Sequence, residues 1–110
     1  MLAENDDQVY RALGHRDRRA ILRLLGDGTR SVSEVAESVG LDQPIASQQL
    51  RVLRDAGLVS VAVDGNRRLY SADFQRLGEI RSFFDAFWNS SLTALKHRAE
   101  NSTTPRKEPT

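Results

Sequence analysis

Two stretches that each close on a glycine, Ser31–Gly40 and Asp42–Gly57, are separated by a single residue and lead straight into a valine-rich run, Leu58–Val63. The first opens with Ser31 and Glu34 at the spacing of a reciprocal S-x-x-E cap and sets Val32, Val35, Ala36 and Val39 on one side of a helix. The second can be capped by Asp42 and tolerates Pro44 in its first turn. So short a glycine-containing connection predicts a helix-turn-helix. The alternation of Val59, Val61 and Val63, the Asp64-Gly65 turn signal and the return over Arg67–Ser71 predict a β-hairpin immediately afterwards.

The flanks read as helix. Asp6–Leu13 pairs Val9 with Leu13 at i, i+4, and a second helix capped by Asp17 gathers Ala20, Ile21, Leu24 and Leu25 before Gly26-Asp27-Gly28 ends it. A long helix is expected from Asp73 to about Glu100, with residues 1–5 loose. The expected fold is therefore mainly α with a small β-hairpin wing, a winged helix-turn-helix in the order α-α-α-α-β-β-α. Residues 1–100 would form one domain, with 101–110 a disordered polar tail rich in Thr and Pro.

Composition narrows the function. Lys+Arg is 16 against 15 for Asp+Glu, so neither a polybasic coat nor an acidic tail is implied, and the absence of Cys removes disulfides, thiolate metal sites and cysteine nucleophiles. No run reaches the length of a membrane span, and the acidic MLAENDDQ start is unlike a signal peptide, so a cytoplasmic protein with no membrane partner is expected. Two histidines 82 positions apart and no phosphate-loop, nucleophile-elbow or metalloprotease pattern leave nothing on which to build an enzyme. Of the 16 basic residues 14 are Arg, which codon bias could produce, or which could reflect forked contacts to phosphate and base edges.

On a helical wheel, residues 42–56 separate into an inner face of Ile45, Ala46, Leu50, Val52, Leu53 and Ala56 and an outer stripe of Pro44, Ser47, Gln48, Arg51 and Asp55, flanked by Gln43 and Arg54. Gln and Ser can exchange hydrogen bonds with base edges and Arg can grip guanine in a fork. The N-terminal part of the second helix of a helix-turn-helix enters the major groove, so Gln43, Pro44, Ser47, Gln48 and Arg51 are candidate DNA contacts. A merely solvated helix would carry similar residues, but usually as a Glu/Lys ladder that is missing here. Gln49 falls in the apolar arc and is expected to be a hydrogen-bonded structural amide. At the hairpin tip, Asn66, Arg67 and Arg68 are candidate backbone contacts, the competing reading being a solvated tip with Asp64 answering one arginine. Arg16, Arg18 and Arg19 could reach phosphates or serve intramolecular partners.

The run SQQLRVLRDAGLVSVAVDGNRRLYS, Ser47 to Ser71, resembles the ArsR/SmtB family of bacterial transcription regulators, and ALGHRDRRAILRLL, Ala12 to Leu25, fits the opening of that family. The resemblance covers about residues 8–98. It implies a homodimeric winged-helix repressor that reads a palindromic double-stranded DNA operator and is often released by an effector. Gln49 stands where the family commonly has His, an inward position that leaves the DNA contacts in place.

Five of the aromatics, Phe74, Phe83, Phe84, Phe87 and Trp88, cluster in the C-terminal helix, and with Leu77, Ile80, Leu92 and Leu95 they cover about half its circumference. That is wider than a surface helix needs, so a symmetric dimer is expected through Leu77, Ile80, Phe84, Phe87, Trp88, Leu92 and Leu95, joined by Val9 of the first helix. Family metal sensors imply a further check. The third helix has no thiol, and His97 and Glu100 supply only the H-x-x-E half of a second pattern, with Phe87 in a His place. No metal and no cofactor are expected. The alternatives are a metal- or small-ligand-responsive sensor of the same family, or a winged-helix module that binds a protein partner through the aromatic helix.

Overall fold

The computed structural model describes residues 4–101. Helix α1 spans Glu4–Leu13, α2 Arg16–Gly26, α3 Val32–Val39, α4 Gln43–Asp55 and α5 Phe74–Glu100, with strands β1 at Arg30–Ser31, β2 at Val59–Asp64 and β3 at Arg67–Ala72. The chain divides into two compact units, one through Gly78 and the other from Glu79. The polar tail expected over 101–110 lies outside the described residues except for Asn101.

In the first unit the core is built by every preceding helix and the base of the hairpin: Val9, Ile21, Leu25, Val35, Ala46, Leu50, Leu53 and Leu58 are all within 2% of complete burial. Burying a Leu, Ile or Val side chain stabilises by roughly 1.5–3 kcal/mol, so this cluster dominates the unit's stability. The reciprocal cap expected at the start of α3 is present: the Ser31 N–H donates to Glu34 Oε1 at 2.8 Å and the Glu34 N–H donates to Ser31 Oγ at 3.3 Å. Gly40 ends α3 in the left-handed region at φ 73°, where a side chain would be strained, and its N–H donates to the Ala36 carbonyl. Leu41 and Asp42 then turn the chain into α4, whose first intrahelical bond runs from Ala46 N–H to the Asp42 carbonyl at 2.9 Å. Asp42 holds the cap position by backbone conformation alone; its side chain makes no capping bond.

Three local readings are corrected. The cap of α2 is His15, whose Nδ1 accepts from the Asp17 N–H at 3.2 Å, so Asp17 sits inside the first turn, where its charge suits the helix dipole. The hairpin pairs Asp64 with Arg67, which leaves Gly65 and Asn66 as the turn residues instead of Asp64 and Gly65. Gly65 takes φ 64° there, in the left-handed region that favours glycine. Ala20, counted with the apolar face of α2, is exposed. The structure also adds a strand that periodicity does not reveal: β1 pairs antiparallel with β3, Arg30 opposite Tyr70 and Ser31 opposite Leu69, giving the sheet order β1-β3-β2. This two-residue strand joins the wing to the start of α3, and the Thr29 and Ser71 hydroxyls hydrogen-bond beside it at 2.9 Å.

In the unit that begins at Glu79, the helix exposes Phe83, Phe84, Phe87, Trp88, Leu92 and Leu95, with Trp88 62% and Phe87 60% accessible. Phe83 and Phe84 meet edge to face with ring centroids 5.3 Å apart. Two residues expected in a dimer contact do not fit it. Val9 is completely buried, a core residue of its own protomer, and Ile80 is the buried residue of α5 at 8%. A side chain withdrawn from solvent in the single chain has no surface to offer a second copy.

Candidate nucleic-acid interface

The amphipathic pattern of α4 decides which residues face outward. Ala46, Leu50, Leu53 and Ala56 are buried, while Gln43, Pro44, Ser47, Gln48, Arg51, Arg54 and Asp55 are all exposed. Ile45, placed on the inner face by the wheel, is 42% exposed, because it lies at the edge of the arc in the first turn. The outer stripe thus forms one continuous polar strip.

Strand β3 brings the wing alongside it. A groove of about 590 Å³ is lined by Pro44, Ser47, Gln48, Arg51, Arg54 and Asp55 of α4 together with Arg68 and Tyr70 of the wing. A second, of about 390 Å³, is bordered by Ser31, Val32 and Ser33, by Gln43 and Ser47, and by Asn66, Arg67, Arg68 and Tyr70. Every residue expected to contact DNA therefore lines one of two adjoining grooves that share Ser47, Arg68 and Tyr70. Arg68 and Tyr70, two apart on one strand, point to the same side of the sheet. Tyr70 is 6% exposed, so its ring forms the floor against which the polar groups are arranged. Among the lining residues that sequence reasoning did not place at this face are Tyr70 and Arg54. The period-two spacing from Arg68 signals the first, and the flanking position on the wheel signals the second.

The two wing arginines differ. Arg67 Nη2 lies 3.4 Å from Glu34 Oε1, an ion pair between side chains 59% and 52% accessible, so the partner of the wing is Glu34 of α3 instead of Asp64. The Glu34 carboxyl is lowered from its ordinary value, first by hydrogen bonding from the Ser31 backbone and then by the Ser31 side chain; desolvation opposes them, and the Arg67 and Arg30 charges add the smaller remaining part. In the second groove, Ser33 Oγ hydrogen-bonds Gln43 Oε1 at 3.3 Å, linking the two helices at the turn.

Arg18 and Arg19, near the start of α2, make contacts within the fold. Arg18 donates from Nε to the Ala12 carbonyl at 2.7 Å, from Nη2 to the Arg11 carbonyl at 3.1 Å, and from Nη1 to Gln49 Oε1 at 2.8 Å. Arg19 donates to the Leu13 carbonyl at 2.7 Å. These side chains satisfy the open C-terminal carbonyls of α1 and tie the Arg18 guanidinium to its own domain through three of its five N–H donors. Gln49 is accordingly the structural amide expected from its inward position. Asp6 is 6% exposed and forms an ion pair with Arg76, and Arg81 pairs with Asp85 at 3.5 Å, one helical turn along α5.

The histidines stand apart from this face. His15 caps α2, and His97 Nε2 lies 2.9 Å from the Asn101 amide nitrogen. Among the described residues no three His, Cys, Asp or Glu side chains come together in a metal-holding group, and no helix is long and apolar enough to cross a membrane.

Comparison with known proteins places this arrangement. Residues 15–61 match the family described as bacterial regulatory protein, arsR family. An HTH-type transcriptional regulator of Mycobacterium tuberculosis is 38% identical over 87 residues, 79% of this chain and 81% of that protein. A biofilm growth-associated repressor of Xylella fastidiosa is 36% identical over 67% of this chain and 60% of its own length. The homodimeric winged helix-turn-helix DNA-binding domain of a Mycobacterium bovis protein, solved by NMR, superposes with a TM-score of 0.66 over 94% of this chain and 89% of that one. At 24% identity that likeness establishes the fold, a winged helix-turn-helix. With the family match, the relative from M. tuberculosis and the wing set beside α4, the chain belongs to the arsR family of bacterial regulatory proteins.

Proposed function

We propose that the protein is a sequence-specific DNA-binding transcriptional regulator, a cytoplasmic repressor that occupies a palindromic operator as a homodimer. The observation that carries this is the exposed Gln43, Pro44, Ser47, Gln48 and Arg51 strip of α4, set across a polar groove from Arg68. An α-helix fits the major groove, where Gln, Ser and Arg read base edges, while the wing's Asn66, Arg67 and Arg68 follow the phosphates and set register without reading sequence. Repression follows from occupancy: a dimer covering two half-sites one helical turn apart, about 34 Å, excludes other proteins from the promoter. The repressor from X. fastidiosa and the homodimer from M. bovis support this reading by relationship and by fold.

The dimer is assigned to the exposed Phe84, Phe87, Trp88, Leu92 and Leu95 of α5, with half-buried Leu77 at the edge. Residues 1–100 then act as one DNA-binding and dimerisation domain. The protein works by binding instead of catalysis, its two histidines serving as a helix cap and as the neighbour of Asn101. Replacing Ser47 and Gln48 together by Ala tests the reading head. Affinity for an operator selected from genomic DNA should fall by about 1–3 kcal/mol for each side chain that reads a base edge, with affinity for random duplex unchanged. Unaltered discrimination between the two in a gel-shift titration removes these residues from the interface.

A further inference from the structure

The cap at the start of α3 does more than begin a helix. One carboxylate oxygen, Glu34 Oε1, accepts the Ser31 N–H at 2.8 Å and also faces Arg67 Nη2 at 3.4 Å. Ser31 is paired with Leu69 of β3, so this oxygen is fixed to the same sheet that carries Arg67. Glu34 is thereby pinned from behind and cannot follow the guanidinium outward. Arg67, by contrast, is exposed and held by a single long contact. Ser31 and Ser33, on the N-terminal side of Glu34 in sequence, line the same groove as Arg67 and Arg68. A carboxylate paired with a wing arginine works against phosphate binding unless its charge has a task there.

Resting on the DNA-binding function proposed above, we infer that Glu34 is a positioning residue for the wing: its pinned carboxylate holds Arg67 where a phosphate oxygen would otherwise engage it, and so lowers affinity for DNA of every sequence. To contact a phosphate, Arg67 must exchange one oxygen anion for another. The net gain from that contact is what the phosphate offers beyond Glu34. Contacts to base edges are untouched by the exchange, so the internal pair weakens non-specific binding without weakening discrimination. Salt acts on both partners: it screens the phosphate contact and equally screens the competing Glu34 pair, which flattens the salt dependence of the parent protein.

The test is a double-mutant cycle on the full chain with Glu34→Gln, Arg67→Ala and both together, titrated against random-sequence duplex at several salt concentrations. Gln is accepted at this cap position, so Glu34→Gln removes the charge and keeps the helix start. The expected result is a roughly two- to fivefold rise in affinity for Glu34→Gln, the range in which an exposed ion pair competes. The slope of log affinity against log salt should steepen by up to about one unit. Both changes should vanish when Arg67 is already Ala. A rise that persists in the Arg67→Ala background overturns the inference, because Glu34 then acts through its own field. A fall in affinity for Glu34→Gln overturns it also, as does an affinity that Glu34→Gln leaves unchanged. If the parent binds no duplex at any salt, the function proposed above fails with it; if the parent binds and only the cycle is flat, this inference alone fails.

Discussion

The outer face of α4 and the exposed face of α5 are both left open to solvent, yet they are built from opposite materials. The first presents Ser47, Gln48 and Arg51 over a floor of Tyr70, with three arginines lining its larger groove. The second presents Phe84, Phe87, Trp88, Leu92 and Leu95, every one of them more than 40% accessible. Polar groups remain well solvated until a partner with matching donors and acceptors arrives, so a polar strip stays open at little cost and discriminates by hydrogen bonding. Aromatic surface costs free energy for as long as it stays wet and gains by burial against any complementary apolar surface. The two exposed faces are therefore suited to partners of different chemistry.

The most direct challenge to this division is to make the aromatic face polar. Replacing Phe87 and Trp88 together by Ser should cost the dimer about 2 kcal/mol or more, the scale at which a central aromatic anchor counts as a hot spot. Sedimentation would then move from twice 12.3 kDa to the mass of one chain at micromolar concentration. A parent protein that already sediments as a monomer would instead remove the half-site argument. Next in size is Arg68→Ala on the polar side. Affinity should drop for all sequences alike and the salt slope should flatten by about one unit, with the oligomeric state unchanged. An unchanged slope would mean that Arg68 lines the groove without meeting phosphate.

The smallest effect concerns the cap that holds the polar side together. Ser31→Ala should cost about 1 kcal/mol of stability and leave the dimer intact. The pH dependence follows from Glu34, whose folded carboxyl titrates below its ordinary value. The stability it contributes is present above the unfolded carboxylate pKa and is lost as pH falls through the lower folded value. Thermal melts of the parent and of Glu34→Gln should therefore converge at acid pH and separate as pH rises through the carboxylate range. Parallel melts at every pH would detach Glu34 from the fold's stability.

Much of this was legible along the chain because it rests on short spacings. The Ser31–Glu34 cap joins residues three positions apart, and the inward position of Gln49 follows from the helical repeat, so both are read correctly. The pairs that were not legible join distant residues: Arg67 with Glu34 across 33 positions, Arg76 with Asp6 across 70, and Arg18 with Gln49 across 31. With 14 arginines and 15 acidic residues available, sequence offers many partners for each and no distance by which to choose. Strand β1 escaped for a related reason. Two residues are too few to show alternation, and Arg30 and Ser31 become a strand only because β3 passes beside them.

Periodicity, caps and glycine positions are enough to establish that the chain makes a helix-turn-helix followed by a hairpin, and that the outer stripe of α4 is polar. Each of those depends on residues within a few positions of one another, where backbone sterics and helical repeat act locally. Packing was needed to settle that Val9 and Ile80 are withdrawn from the surface, and that Arg18, Arg19 and Arg76 are committed inside the fold while Arg51 and Arg68 line the grooves. An arginine's task is set by which carboxylate or carbonyl lies within about 3 Å of it, and that distance exists only once the helices have packed.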